Sequence, residues 1–482
     1  MRYNRGMNEI REQLRQLDKE SLIDIIVELR EQMVQMAVRI QVLEDQLAKN
    51  SHNSSKPPSS DGLKKKPKPR SLREKGKRQS GGQKGHKGKT LEIVSNPHHV
   101  EIHPVSSCPH CQSDLSELEV THMEKRQVFD VPPLQVEVTE HQGESKYCPT
   151  CHVEVKATFP DGVSQLVQYG NRLKTQAVYL NAYQLLPLAR ICELFDDLYG
   201  HRPSEAFVLN ATLEIRKAIE PTLHEIEAHV KQADVVHCDE SGMRVEGKLN
   251  WLHVLATQRL TRYWVHPKRG QEAMRDIGLL EHLQGCAIHD AWMSYFLFDN
   301  CAHALCNAHH LRELRFIFEQ YEQTWARQLF AMLLDIKQEV DDTICAEQTS
   351  LPSKRLQHYE QKYDALLQQG FEANPPPEHP PPKQRGRNKQ SPPKNLLDRL
   401  QKYKQHTLAF MFDFDIPFDN NLAERDVRMM KVKQKISGTF RTRYGAETFC
   451  DIRSYVSTVR KQGHGVIQAI LHAFLGQPFM PT

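Results

Sequence analysis

Val235-Val236-His237-Cys238-Asp239-Glu240 is a short apolar run that delivers two acids and ends a long helical pattern upstream. Its β-branched start argues for a strand. Residues 249–257 and 261–266 read as two more strands, joined as a meander through Glu246-Gly247 and Gln258-Arg259. An amphipathic helix is predicted over 271–283, then a strand over 285–289 that ends at Asp290. A further strand and helix follow over 302–306 and 309–318.

Three strands, helix, strand, helix, strand, helix is the order of a ribonuclease-H-like α/β core, here placed over residues 233–318 in its first part. In such a sheet the first and fourth strands are neighbours, so acids at their ends converge. Asp239 and Asp290 hold those positions, and a third acid from a later helix would complete a site for two Mg²⁺ ions, or Mn²⁺ in their place. Carboxylates suit this role because Mg²⁺ is a hard cation that prefers oxygen. Two such ions activate a water or hydroxyl and stabilise the leaving oxygen of a phosphodiester. Acids after strands are common, however, and Glu240, Asp234 and Asp299 are rivals.

Downstream, Asp419-Asn420-Asn421-Leu422-Ala423-Glu424-Arg425-Asp426-Val427-Arg428 sets one carboxylate ahead of a basic run. Residues 425–461 hold ten Lys/Arg against three acids. Asn421 followed three places later by Glu424 fits a capping-box variant, and on spacing alone this is the simpler reading. The basic run favours the other: Arg425, Arg428, Lys431, Lys433 and Lys435 would border a metal site where a phosphate backbone must lie.

Cys108-Pro109-His110-Cys111 and Cys148-Pro149-Thr150-Cys151 are two Cys-x-x-Cys knuckles with 36 residues between them. Four thiolates close a tetrahedral, structural zinc site, so residues 91–157 read as a zinc-ribbon-like module with a hairpin filling the span. His110 and His152 are substitute ligands. The other seven cysteines read as small apolar residues. His289, His303, His309 and His310 with Cys301 and Cys306 match no clean ligand spacing, and read as core and surface residues.

Residues 8–48 read as one helix with a coiled-coil seam, Leu22, Ile26, Leu29, Met33, Met36, Ile40, Leu43 and Leu47, which implies a homo-oligomer. Residues 49–90 carry fourteen Lys/Arg and two acids, so they form a flexible basic linker; Lys64, Lys65 and Lys66 are its candidate phosphate contacts. The net charge of +4 therefore conceals a local +12 against −8 elsewhere. Residues 163–232 read as helical, with Tyr199-Gly200-His201-Arg202-Pro203 as a turn and Ser204 as an N-cap; a helix-turn-helix DNA reader is one option. Residues 319–370 are helical and polar, and 371–395 form a Pro-rich loop. A chain of 482 residues needs several domains, here a multidomain α+β arrangement. No run of eighteen apolar residues suggests a membrane span, and the charged start is no signal core, so a cytoplasmic, nucleoid-associated protein is expected.

These motifs, in order, resemble the insertion-sequence-66 transposases, a bacterial family, over nearly the whole chain. Asn53-Ser54-Ser55-Lys56-Pro57-Pro58-Ser59-Ser60-Asp61 and Gly81-Gly82-Gln83-Lys84-Gly85-His86 resemble its N-terminal region, and the two knuckles its zinc-binding domain. His237-Cys238-Asp239-Glu240-Ser241-Gly242 resembles the first catalytic block, His289-Asp290-Ala291-Trp292 the second, and Asp419 to Arg425 with Arg428 the third. Cys306-Asn307-Ala308-His309-His310-Leu311-Arg312-Glu313-Leu314 follows the second block as in the family. The resemblance implies an Asp-Asp-Glu transposase with Asp239, Asp290 and Glu424 as metal ligands. It implies a helical insertion, 319–412, within the 133 residues between the second and third acids, and core completion by 413–482. Its DNA partners would be terminal inverted repeats and target DNA, with accessory proteins of the same element. Two alternatives stay open: a non-enzymatic zinc-ribbon and coiled-coil DNA-binding regulator, and a ribonuclease-H-like nuclease without strand transfer.

Overall fold

The structure, a computed structural model, describes residues 14–50, 53–54, 91–376 and 390–482. Two compact units divide the chain: Met1–Lys66, Gln165–Cys192 and Ser204–Thr482 form one, Pro67–Ser164 and Glu193–Pro203 the other. Among the described residues no helix is long and apolar enough to cross a membrane.

Helix α1 spans Lys19–Ala48, and Asp18 caps it by accepting from the Ser21 amide at 2.8 Å. The predicted 8–48 helix is therefore broken at this cap, and residues 8–13 lie outside the described residues. In the second unit, β1 (Ser145–Tyr147) pairs antiparallel with β2 (Glu154–Lys156) around the second knuckle. No hairpin fills the span between the knuckles, and Val136 to Thr139 is not a strand. Val136 is half-buried and Glu137 to Thr139 are exposed, and an alternating pattern without a hydrogen-bonding partner does not make a sheet.

Helices α2 (Asn171–Val178), α3 (Leu188–Tyr199), α4 (Glu205–Ala218) and α5 (Glu220–Gln232) precede the main sheet. As expected, Ser204 caps α4, accepting from the Phe207 amide at 3.3 Å. The sheet comprises β3 (Val235–Val245), β4 (Lys248–Ala256), β5 (Thr261–His266), β6 (Cys286–His289) and β7 (Ala302–Leu305) in the order β5-β4-β3-β6-β7. The first three strands are antiparallel; β6 and β7 run parallel to β3. Glu246 and Gly247 both have positive φ, 53° and 73°, the backbone that a two-residue hairpin requires. Two expectations are corrected. Helix α6 (Gln271–Ile277) stops at Gly278, whose φ of 71° terminates it, and only a 3₁₀ turn follows. Between β6 and β7 there is no α-helix, only the 3₁₀ turn Tyr295–Leu297.

Beyond β7 come α7 (Asn307–Gln320), α8 (Thr324–Cys345), α9 (Ser353–Ala373), α10 (Pro392–Lys402) and α11 (Lys404–Phe412). They share a core built on Leu314, Trp325, Leu329, Tyr363 and Leu397, all buried. The chain then returns to the sheet with α12 (Asn421–Ser437), α13 (Arg443–Lys461) and α14 (Val466–Phe474). Strand alternation sorts the two faces. Val236 and Cys238 face Ile226, Met274 and Tyr455, whereas Met243 and Val245 face Leu422, Ala423 and Met430 of α12. Helix α13 covers the exposed edge of β5: the Thr261 amide donates to Thr458 Oγ1 at 3.1 Å and the Tyr263 amide to Ser454 Oγ at 2.9 Å.

Gly285 opens β6 where β3 leaves no room. A Cβ there would overlap the carbonyl oxygens of Ala233 and Asp234, both backbone atoms that cannot rotate away. Gly285→Ala is therefore expected to cost ~3 kcal/mol or more, read as a fall in the urea midpoint of the full chain.

Candidate active site and zinc module

Strand direction selects among the acids. β3, β6 and β7 run parallel, so their carboxyl ends meet along one edge. His237 pairs with Ile288, and the same offset of 51 sets Asp239 level with Asp290 two residues on. His289 pairs with Leu305, which sets Asp290 level with Cys306, and the Cys306 amide extends the ladder to the His289 carbonyl at 3.0 Å. Asp234 and Asp299 lie at the opposite, amino-terminal ends of β3 and β7, away from this edge. Sequence reading ended the first strand at its acids, but β3 continues to Val245 because β4 pairs along its full length. It is the parallel neighbour β6 that stops, leaving Asp239 free to face the edge.

Glu240 points to the opposite face from Asp239, as period-two alternation requires. Its carboxylate is only 1% exposed, against 38% for Asp290, and lies 3.6 Å from Arg269. Burial, then Asp290, pushes its carboxyl up to about 8. Asp239 rises to about 7 through burial, with added repulsion from Asp290 and Glu424, and Asp290 is also raised by burial. Asp239 thus shares one electrostatic field with the other two acids. Arg269 lies 3.9 Å from Asp290, its guanidinium between the rings of Trp251 and Trp292, 5.0 and 3.0 Å from their centres.

Glu424 reaches this edge from α12. The capping-box reading fails: Asn421 lies inside the helix, and the N-cap residue is Asn420, which makes no side-chain cap bond. Asn420 instead ties α12 to β3. Its Nδ2 donates to the Cys238 carbonyl at 2.7 Å, its Oδ1 accepts from His237 Nδ1 at 2.8 Å, and its amide donates to Cys306 Sγ at 3.2 Å. The Glu424 carboxylate is consequently not spent on the cap. It is ringed by His309 at 3.9 Å, Arg312 at 3.8 Å and Arg428 at 3.7 Å, all too long for hydrogen bonds.

Asp290 Oδ1 and Glu424 Oε1 are buried without a hydrogen-bond partner. Buried carboxylate oxygens left unpaired, close enough to repel a third acid, fit hard divalent cations that would supply the missing charge. Sequence reading missed Arg269, and quoted Asn420 and Arg312 only within longer motifs. It named Cys306 and His309 but placed them with core and surface residues, since their nearness to Glu424 depends on the register of β7.

The basic candidates divide. Arg428, Lys431 and Lys435 follow Glu424 at four, seven and eleven residues, one exposed stripe of α12, with Arg425 exposed beside it. Lys431 Nζ donates to the Gly242 carbonyl at 2.8 Å. Lys433 turns inward: its Nζ stands 4.2 Å from the Phe440 ring centre, and burial lowers its amine to about 8. Lys64, Lys65 and Lys66 lie outside the described residues. Lys435→Ala is expected to weaken DNA binding and reduce the salt slope by about one. Lys433→Ala should leave that slope unchanged, which salt-titrated binding curves would check.

The two knuckles are copies of one local design. The Cys108 amide donates to the Ser113 carbonyl and Gln112 to Cys108, both at 2.9 Å; Cys148 with Val153 and His152 with Cys148 repeat this at 2.9 Å. Gln112 and His152 take the same positive φ, 61° and 56°. Ser107 bridges Asp114 as Tyr147 pairs with Glu154. The Cys151 amide lowers Cys148 to about 7, and the Ser113 hydroxyl lowers Cys111, which favours the metal-binding thiolate.

The chain combines a five-stranded mixed sheet, with acids along one edge, and a module of paired cysteines. Residues 167–448, more than half of the chain, match the Transposase IS66 family, and residues 106–152 match the zinc-finger binding domain of transposase IS66. The chain belongs to the IS66 transposase family. The zinc-finger match takes in all four knuckle cysteines, and residues 3–92 match a family of unknown function. No curated protein matches the chain.

Proposed function

We propose that this transposase binds the terminal inverted repeats of its element and carries out metal-dependent phosphodiester hydrolysis and strand transfer at a ribonuclease-H-like core. What supports the reading is that Asp239 feels the charges of Asp290 and Glu424, and that Asp290 Oδ1 and Glu424 Oε1 are buried and unpaired. These three would hold two Mg²⁺ or Mn²⁺ ions, which supply activation of the attacking oxygen and stabilisation of the leaving one. Water adds to phosphorus at the element end, the bond to the 3′ oxygen breaks, and a 3′-hydroxyl is freed. That hydroxyl attacks a target phosphodiester, forming one new bond as the target's own 3′ oxygen leaves with a proton. Arg425, Arg428, Lys431 and Lys435 guide the backbone toward Glu424.

The core would comprise 233–318 and 413–482, with 319–412 as a helical insertion. Cys108, Cys111, Cys148 and Cys151 would close a structural zinc site. Helix α1 exposes Ile26, Met33, Met36, Ile40 and Leu47, the last at 87%, a seam suited to pairing subunits and so two DNA ends.

The test is the full-length chain with Mg²⁺ and DNA carrying the element's ends. Nicks ending in 3′-hydroxyl and joined target products are expected. Nicks without joining would favour the nuclease alternative, and no cleavage with either Mg²⁺ or Mn²⁺ would overturn the reading.

A further inference from the structure

Cys306, His309 and Glu424 offer a sulfur, a nitrogen and an oxygen that all lie within 4.8 Å of one another, the one such group of three among the described residues. Two elements build it. Cys306 holds the N-cap position of α7, and His309 follows three residues on, in the helix's first turn. Glu424 enters from α12, positioned by Asn420, whose amide donates to Cys306 Sγ at 3.2 Å. His309 Nδ1 and Glu424 Oε1 face each other at 3.9 Å, and both are buried without a hydrogen-bond partner. Two orphaned atoms of this kind, an imidazole nitrogen and a carboxylate oxygen, leave a gap that neither fills for the other. A cation between them would satisfy both.

We infer that His309 is a metal ligand shared with Glu424, so that the ion at this end of the site has a nitrogen donor, with the Cys306 sulfur in reach. The inference rests on the proposed metal-binding role of Glu424. Its consequence is selectivity. An all-oxygen site suits Mg²⁺ and Mn²⁺ alike, whereas an imidazole nitrogen is accepted by Mn²⁺ more readily than by Mg²⁺. The chain should therefore prefer Mn²⁺ to Mg²⁺ at this position.

The probe is Mn²⁺ alone, titrated into the full-length, zinc-loaded chain and followed by electron paramagnetic resonance, with Mg²⁺ as competitor. Wild type is expected to bind Mn²⁺ about tenfold or more tightly than Mg²⁺, and His309→Ala to lose about that factor for Mn²⁺ with little change for Mg²⁺. Pulsed measurements on bound Mn²⁺ should show a ¹⁴N coupling in wild type that His309→Ala removes; this wild-type signal needs no variant to fold. Mn²⁺ that depends on Glu424 but shows no ¹⁴N coupling, or binds His309→Ala as tightly, overturns the role of His309 alone. Mn²⁺ binding unaffected by Glu424→Gln would instead overturn the proposed metal site itself.

Discussion

Glu424→Gln is expected to reduce cleavage of end-bearing DNA by about 1,000-fold or more, equivalent to roughly 4 kcal/mol of transition-state stabilisation. The amide keeps the size of the side chain and removes its charge. Folding should survive, because Glu424 makes no cap bond and its oxygen Oε1 has no partner to lose. DNA binding should survive as well, since the stripe of Arg428, Lys431 and Lys435 is untouched; one less acid there would, if anything, tighten it. The measurement pairs a cleavage assay with a binding isotherm at one salt concentration. Undiminished cleavage would remove Glu424 from the chemistry.

Asn420→Ala should impair both stability and activity. Truncation leaves the Cys238 carbonyl and His237 Nδ1 buried and unpaired, each worth about 1–3 kcal/mol, so a loss of about 3 kcal/mol is expected. It also cuts the tie that holds the start of α12, and with it Glu424, against β3, and displacement by about 1 Å can cost about 100-fold in rate. Asn420→Asp is the sharper variant. It keeps an acceptor for His237 but turns an oxygen toward the Cys238 carbonyl, so it should not rescue. Urea unfolding and cleavage rates report the two effects separately. Wild-type values for both would show that Asn420 only fills space.

Much of the sheet was legible in the sequence. Residues 261–266 form a strand as predicted, and the Glu246-Gly247 turn follows from two residues that tolerate positive φ. Where prediction failed, a partner or its absence decided. The span between the knuckles found no strand pairing for its hairpin. The helix over 271–283 met Gly278. Glu424 gave up its capping role because Asn420, one residue earlier than expected, holds the N-cap position and commits its side chain to β3.

By itself the sequence determined what is local: the knuckles, whose hydrogen bonds close within six residues, the alternation of the strands, and the supply of acids at their ends. Such features depend on neighbours along the chain, which the order of residues specifies directly. Only the tertiary structure decided which acids lie along one edge of the sheet. Asp239 level with Asp290, Asp299 at the other end of the sheet, and His309 beside Glu424 follow from strand direction and register. Those are relations between segments distant in the chain, and no spacing in the sequence expresses them.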